Sequence, residues 1–245
     1  ISHLLNDKPF AEMPKLSLLS AGKTNCIAAD VGIVGPPAVS LKRLIERVEA
    51  GEEGQRIDRP VLTLDLGDDG PLIHGFLLGA VAFYQGTIRF RSKVTGLGLQ
   101  PGLQSLIGIL LTAWRTIRYG PGPKSGFYGE RIGVTVDGLA SAPQDMFLLV
   151  ATTLTQILPG IRPFWGDGAG RMQLTTVAHP PRRLAWAIWP ALRGRPSRWM
   201  EQSGYCSRRA EQLEVEMSSP AVFDGEIFET DGGSVIRVSV GPTMA

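Results

Sequence analysis

The chain has 245 residues, of which 43% are hydrophobic and 20% charged, and its formal net charge is +2. This composition is typical of an ordered globular protein and argues against a disordered chain. The small net charge gives no support to nucleic-acid binding, and no apolar run reaches the length of a membrane span. The two cysteines, Cys26 and Cys206, are far apart in the sequence, which favours a reducing compartment over a disulfide framework or a zinc site.

The first 57 residues are predicted to be α/β. Residues 15–19 form a short apolar strand candidate, and a helix is predicted over residues 41–50. Ser40 can cap the start of this helix and Gly51 can end it. The charged, glycine-rich stretch at 52–58 is typical of a domain boundary. The apolar stripe of the helix consists of Leu41, Leu44, Ile45 and Val48.

From residue 58 onward the sequence is mainly β. Residues 62–66, 132–136 and 172–177 alternate apolar and polar side chains, as half-buried strands do. Asp137-Gly138 is a predicted hairpin turn, and one helix is predicted at 103–117. Many short strands at regular spacing indicate a β-sandwich or a strongly curved sheet. We therefore expect an α+β protein with domains at residues 1–57 and 58–245.

The most informative motif is Asp224-Gly225-Glu226, which lies between strand-like segments at 214–217 and 235–240. Asp-Gly is a dipeptide of tight turns. A carboxylate directly after such a turn is held by rigid backbone at a sheet edge, which is the geometry that a general base needs. Taken alone, the pattern is more typical of a solvated acid at a turn than of a catalytic residue.

A second motif follows the first strand candidate and reads Ser20-Ala21-Gly22-Lys23-Thr24-Asn25-Cys26-Ile27-Ala28. Together with Asp-Gly-Glu near the other end, it resembles the diacylglycerol kinase-like lipid kinases, whose segment is Leu-Pro-x-Gly-Thr-Gly-Asn-Asp-x-Ala. The resemblance covers essentially the whole chain. It implies that residues 1–57 are the C-terminal part of an α/β nucleotide-binding domain. The rest would be a lipid-binding β-sandwich, with the active site between the two domains.

The family's Gly-Gly-Asp-Gly-Thr nucleotide loop is absent from this sequence. Residues 1–5 match the helix that follows this loop in the family. We therefore expect that the N-terminal portion of a longer protein is missing, and that these 245 residues alone have little or no kinase activity.

The resemblance implies an enzyme that transfers a phosphoryl group from ATP, with Mg²⁺, to a lipid hydroxyl of the diacylglycerol type. Glu226 takes the place of the general base, and Asp224 would orient the turn or approach the nucleotide-metal side. A single placed carboxylate is enough for this chemistry, because charge stabilisation lowers most of the remaining barrier. The sequence assigns no metal ligands.

The nucleotide side of the predicted site consists of Gly22, Lys23, Thr24 and Asn25. Here Lys23, Thr24 and Cys26 replace the Thr, Gly and Asp of the family, so the nucleotide loop is degenerate. The alternative is an ordinary strand-to-helix turn. A P-loop is excluded because Ser17 stands where the first glycine of that motif is required.

The segment from residue 180 to 200 contains five arginines, three of the five tryptophans and no acid. Leu184, Ile188 and Leu192 recur in it at helical spacing. Tryptophan and arginine together are typical of a helix that lies at an anionic membrane surface. The alternative is an amphipathic helix packed on the sheet with its polar face in water. The residues predicted to face a membrane are Arg182, Arg183, Trp186, Trp189, Arg193 and Arg195.

Other functions stay open at this stage. The main alternative is a non-catalytic lipid-binding or regulatory module that kept the fold and lost nucleotide binding. A kinase for another hydroxyl, such as that of a sphingoid base, is a further alternative, and a relative of the NAD kinases is less favoured because of the Asp-Gly-Glu element. We expect a lipid substrate, no nucleic-acid partner, and a location in the cytoplasm or at the inner membrane face. The oligomeric state is not predicted.

Overall fold

The computed structural model describes residues 1–11, 14–21, 25–33, 35–52, 56–67, 70–94, 108, 111, 113–230, 233 and 235–244. Seven helices are distinguished within these ranges, and residues 108 and 111, which are also helical, precede the fifth. The seven are α1 (Ser2–Asn6), α2 (Cys26–Asp30), α3 (Pro37–Glu49), α4 (Ala82–Val94), α5 (113–119), α6 (Leu184–Leu192) and α7 (Arg198–Gln202).

Eleven strands of the described chain form one antiparallel sheet. They are β1 (Arg59–Asp65), β2 (Ile73–Gly75), β3 (Leu77–Val81), β4 (Glu130–Val136), β5 (Leu139–Thr152), β6 (Met172–Ala178), β7 (Tyr205–Ala210), β8 (Gln212–Glu216), β9 (Ala221–Phe223), β10 (Glu226–Phe228) and β11 (Val235–Met244). The main order is β10-β9-β3-β5-β4-β8-β11-β1-β2, and β6 joins β5 to β7. The protein is therefore α+β, as the sequence predicts.

The sheet curls until its two ends meet. β2 and β3 stand far apart in the strand order, yet only Phe76 separates them in the chain. The core also shows that the two ends of the sheet are close together, because Leu62 and Leu64 of β1 share one buried cluster with Ala221 and Phe223 of β9. Of the two architectures predicted for the β part, the described residues therefore have the strongly curved sheet, and they contain one sheet rather than the two of a sandwich.

The long strand β5 makes this curvature. Its first half pairs with β4, and its second half pairs with both β3 and β6. The pairing with β4 shifts register between Ile132 and Val134, and such irregularities bend strands. At the start of β5, Asp137 and Gly138 have φ of 48° and 78°. Positive φ at both central residues defines a type I′ turn, so the predicted hairpin is confirmed.

Helix α3 begins earlier than predicted. Pro37 occupies its first turn, where the missing N–H costs nothing, and Gly51 with φ of 70° follows its end as expected. Its apolar stripe does not enter the core, since Leu41, Ile45 and Val48 are exposed. The helix predicted at 103–117 falls largely outside the described residues, and the helical residues 113–119 overlap its end.

The segment before β1 packs on the sheet. Leu5, Leu16 and Ile27 lie against a buried cluster that includes Val61 and Phe76. This contact brings α1 and α2 next to the Phe76 connection, which is the place where the ends of the sheet meet.

Candidate active site at the Asp224-Gly225 turn

The Asp224-Gly225 dipeptide forms the turn between β9 and β10. Asp224 and Gly225 have φ of 49° and 91°, and Phe223 pairs directly with Glu226. This is a second type I′ hairpin, the turn that Asp-Gly favours. Glu226 is thereby the first residue of β10, and it is exposed. The predicted general base is therefore held by a hydrogen-bonded strand pair and is accessible to a substrate.

The carboxylate of Asp224 clamps the joint between the two ends of the sheet. It accepts hydrogen bonds from the N–H of Phe76, at 3.1 and 3.0 Å to its two oxygens, and from the N–H of Leu77 at 2.9 Å. The N–H of Asp224 donates to the carbonyl of Leu77 at 2.9 Å. A Cβ at Gly75 would overlap this carboxylate and would lie 2.6 Å from a ring carbon of Phe223. Gly75 is therefore required for the close approach.

The environment of this carboxylate changes its ionisation. Asp224 as a residue is exposed at the tip of the turn, but its carboxylate is folded back onto the backbone of Phe76 and Leu77. Desolvation raises the pKa of Asp224 to about 6, against the two backbone donors, which lower it, and the charge of Glu226 raises it further. Asp224 and Glu226 are thus close enough to influence each other, and Asp224 has the contacts of a positioning residue.

Helix α1 reaches the same place through His74 on β2. The ring Nε2 of His74 lies 3.0 Å from Oδ1 of Asn6, and its ring Nδ1 lies 3.0 Å from Oγ1 of Thr63. The backbone N–H of His74 donates to Oγ of Ser2 at 2.9 Å. Desolvation lowers the pKa of His74. These bonds fasten α1 to the strand that leads into Gly75, so the helix borders the turn.

The first turn of α2 lies near Asp224, because Cys26 packs in one buried cluster with Phe76 and Leu77, whose N–H groups bind that carboxylate. Asn25 precedes this helix with φ of 52°, and its amide Nδ2 donates to the carbonyl of Ser20 at 3.3 Å. The thiol of Cys26 is buried, and this burial, together with the charge of Asp224, raises its pKa to about 12. The structure therefore brings the second motif beside the first. Gly22, Lys23 and Thr24 lie outside the described residues, so only Asn25 of the predicted nucleotide residues can be placed.

The other end of α2 is anchored by a buried carboxylate that the sequence analysis missed. The Asp30 side chain is 0% exposed and accepts from Nε of Arg59 at 2.6 Å. It also accepts from the N–H groups of Thr155 and Gln156, at 2.8 and 3.0 Å. Negative charge is unfavourable at a helix C-terminus, so these donors are what hold it there. No local sequence pattern indicates the partners, which are more than a hundred residues away for both backbone donors.

The described residues contain no group of three or more His, Cys, Asp and Glu side chains that could hold a metal ion. Asp224 is occupied by backbone donors, which leaves Glu226 as the accessible carboxylate of the turn. The described part of the chain therefore does not fit a Mg²⁺ site made by protein ligands alone, and no step below is assigned to a metal.

All six residues predicted to face a membrane are exposed. Arg182 and Arg183 precede α6, and Trp186 and Trp189 lie on it. Arg193 and Arg195 lie in the turn that follows this helix. None of the helices in the described ranges is both long enough and apolar enough to cross a bilayer.

Comparison with solved structures shows which proteins have this fold. A presumed diacylglycerol kinase from Bacillus anthracis str. Sterne superposes with a TM-score of 0.59 at 15% identity, over 96% of this chain and 70% of that one. A second structure of a diacylglycerol kinase from the same organism gives 0.51 at 13% identity, over 96% and 68%. The chain shares their fold. Neither a family model nor a curated protein matches the sequence.

Proposed function

We propose that the protein acts as an ATP-dependent lipid kinase that phosphorylates a hydroxyl of a diacylglycerol-like lipid. The observation that carries this proposal is the Asp224-Gly225 turn. It presents the exposed Glu226 from a rigid strand pair, beside the first turn of α2 and at the joint of the curled sheet. The fold shared with proteins named diacylglycerol kinases supports the same class of reaction.

Glu226 is the general base in this proposal. Its carboxylate accepts the proton of the lipid hydroxyl as the hydroxyl oxygen attacks the terminal phosphorus of ATP, and ADP leaves with the electron pair of the broken bond. When bound, ATP supplies the phosphoryl group.

Asp224 serves as a positioning residue. Its bonds to Phe76 and Leu77 fix the turn, and the turn fixes where Glu226 begins β10. A base displaced by a small distance loses much of its effect, because proton transfer needs hydrogen-bond contact with the substrate. In this proposal Asn25 is the candidate for an amide contact to the nucleotide. The acceptor lipid would bind the sheet part of the protein, at the inner membrane face.

The second candidate function is a non-catalytic lipid-binding or regulatory module. The observation that favours it is Cys26, which stands where the related kinases have an aspartate. Burial raises the pKa of this thiol to about 12, so Cys26 does not supply the negative charge of the aspartate that it replaces.

In the longer protein expected from the sequence, transfer of the labelled γ-phosphate of ATP to diacylglycerol in mixed micelles separates the two functions. A lipid product that carries the label supports the kinase. Saturable binding of diacylglycerol without any labelled product, under conditions in which a Bacillus diacylglycerol kinase is active, supports the module instead.

A further inference from the structure

Helix α6 has one face in the core and one face in water. Ala187 is fully buried, and Leu184 and Ala191 pack with it on a cluster that contains Phe147 and Tyr205. On the opposite side Trp186 and Trp189 are 77% and 57% exposed. Residues three apart lie on the same face of a helix. The helix therefore carries two large aromatic side chains into solvent side by side, although its attachment to the core does not need them.

The charged residues of the segment that contains these tryptophans have a single sign. Residues 168–200 contain no acid. The arginines there are Arg171, Arg182, Arg183, Arg193, Arg195 and Arg198. Within the described residues, the last five form no salt bridge. Two of them instead lie over indole rings: Arg193 is 4.2 Å from the ring centroid of Trp189 and Arg183 is 5.7 Å from that of Trp199. The positive charges of these five arginines are therefore available to an external anion.

The surface is rigidly built. The hydroxyl of the buried Tyr205 donates to the carbonyl of Arg182 at 2.8 Å, which fixes the backbone just before α6. Arg183, Trp186 and Trp199 line an open cavity of about 310 Å³. A basic group between two indole rings is suited to a phosphate that carries an apolar attachment. We call Arg182, Arg183, Trp186, Trp189, Arg193 and Arg195 the Trp/Arg surface.

We propose that the Trp/Arg surface docks the protein on a bilayer that contains anionic phospholipids. Indole rings occupy the headgroup region of membranes and guanidinium groups bind lipid phosphates, so the two side-chain types found here match the two layers of that interface. The small net charge of the whole chain gives no support to nucleic-acid binding, whereas residues 168–200 carry six arginines and no acid. The proposal goes beyond the kinase function and does not require it.

Partitioning into vesicles tests the proposal without ATP. The protein is mixed with vesicles of phosphatidylcholine alone or with added phosphatidylglycerol, and the bound fraction is measured by sedimentation. We expect binding that rises with phosphatidylglycerol and falls with salt. Replacement of Arg182, Arg183, Arg193 and Arg195 by serine should weaken binding on the order of 100-fold or more at low salt.

A charge-matched control separates this surface from general attraction. Arg43, Arg56, Arg131 and Arg237 are exposed elsewhere, and their replacement by serine changes the net charge equally. This variant should bind as the unaltered protein does. Anionic vesicles should induce a blue shift of tryptophan fluorescence, and the double substitution Trp186→Phe and Trp189→Phe should abolish it. The control is Leu139→Ser, which alters a residue that is 79% exposed on another hairpin and should leave the blue shift unchanged.

Two results would overturn the proposal. One is equal loss of vesicle binding in the two four-arginine variants. The other is no binding to anionic vesicles together with binding to DNA that the Trp/Arg substitutions abolish. Either result leaves the kinase proposal untouched, because neither assay involves phosphoryl transfer.

Discussion

Removal of the Asp30 carboxylate should destabilise the protein more than any exposed ion pair can. The side chain is 0% exposed and Arg59 is 22% exposed. Asp30→Ala leaves the N–H groups of Thr155 and Gln156 without their acceptor. It also removes the carboxylate that pairs with the guanidinium of Arg59. Breaking a buried pair in this way costs about 3–5 kcal/mol. Because Arg59 can be rehydrated, we expect the lower end, about 3 kcal/mol.

Thermal unfolding followed by circular dichroism measures this effect. For a protein of this size, about 3 kcal/mol corresponds to a fall in Tm of roughly 6–12 °C. Asp30→Asn keeps the oxygen that faces Thr155 and Gln156 and loses the charge pair with Arg59, so it should cost roughly 1–2 kcal/mol. The control is Asp58→Ala, which removes an exposed pair with Arg56 and should cost less than about 1 kcal/mol. Equal and small shifts for Asp30→Ala and Asp58→Ala would refute the anchor.

Two further predictions concern the clamp at the turn. Gly75→Ala should lower the free energy of unfolding by about 1–3 kcal/mol, because its Cβ displaces the Asp224 carboxylate. The control is Gly133→Ala, because its Cβ would meet the flexible Glu216 side chain at 3.2 Å. An equal effect of the two substitutions would contradict the role of Asp224 in holding the turn. The second prediction is a dependence of stability on pH. The pKa of Asp224 is raised from 3.8 to about 6, so between pH 3.8 and about 6 the folded state holds a proton that the unfolded state releases. The free energy of unfolding should therefore fall as the pH rises through this range. Urea midpoints measured across this range should show that the fall is smaller in Asp224→Asn, and identical slopes would exclude the assignment.

The parts of the fold that the sequence predicts are those coded by neighbouring residues. The turns at Asp137-Gly138 and Asp224-Gly225 follow from one dipeptide each, because a type I′ turn needs two adjacent residues that tolerate positive φ. Strand alternation is equally local, and it places Leu213 and Val215 of β8 in the core.

The contacts that assemble the candidate site are long-range and could not be predicted in the same way. The bond between Asp224 and Phe76 spans 148 positions, and the bond between Asp30 and Thr155 spans 125. Neither partner is marked by composition or periodicity. Helix α6 shows the intermediate case. The packing of one of its faces is seen, since Ala187 is buried, whereas Trp186 is exposed and its contact with a membrane stays a prediction.

The central claim is that Glu226 is the general base of a phosphoryl transfer to a lipid, and one comparison of variants tests it directly. Glu229 is also exposed and lies three residues further along the chain, so Glu229→Gln is a matched control for Glu226→Gln. In the longer protein expected from the sequence, Glu226→Gln should lower kcat for phosphate transfer from ATP to diacylglycerol about 10²- to 10⁴-fold, with nucleotide affinity nearly unchanged. Glu229→Gln in the same protein should retain full activity. An active protein whose kcat is the same in both variants would contradict the claim and leave Glu226 as a solvated acid at a turn.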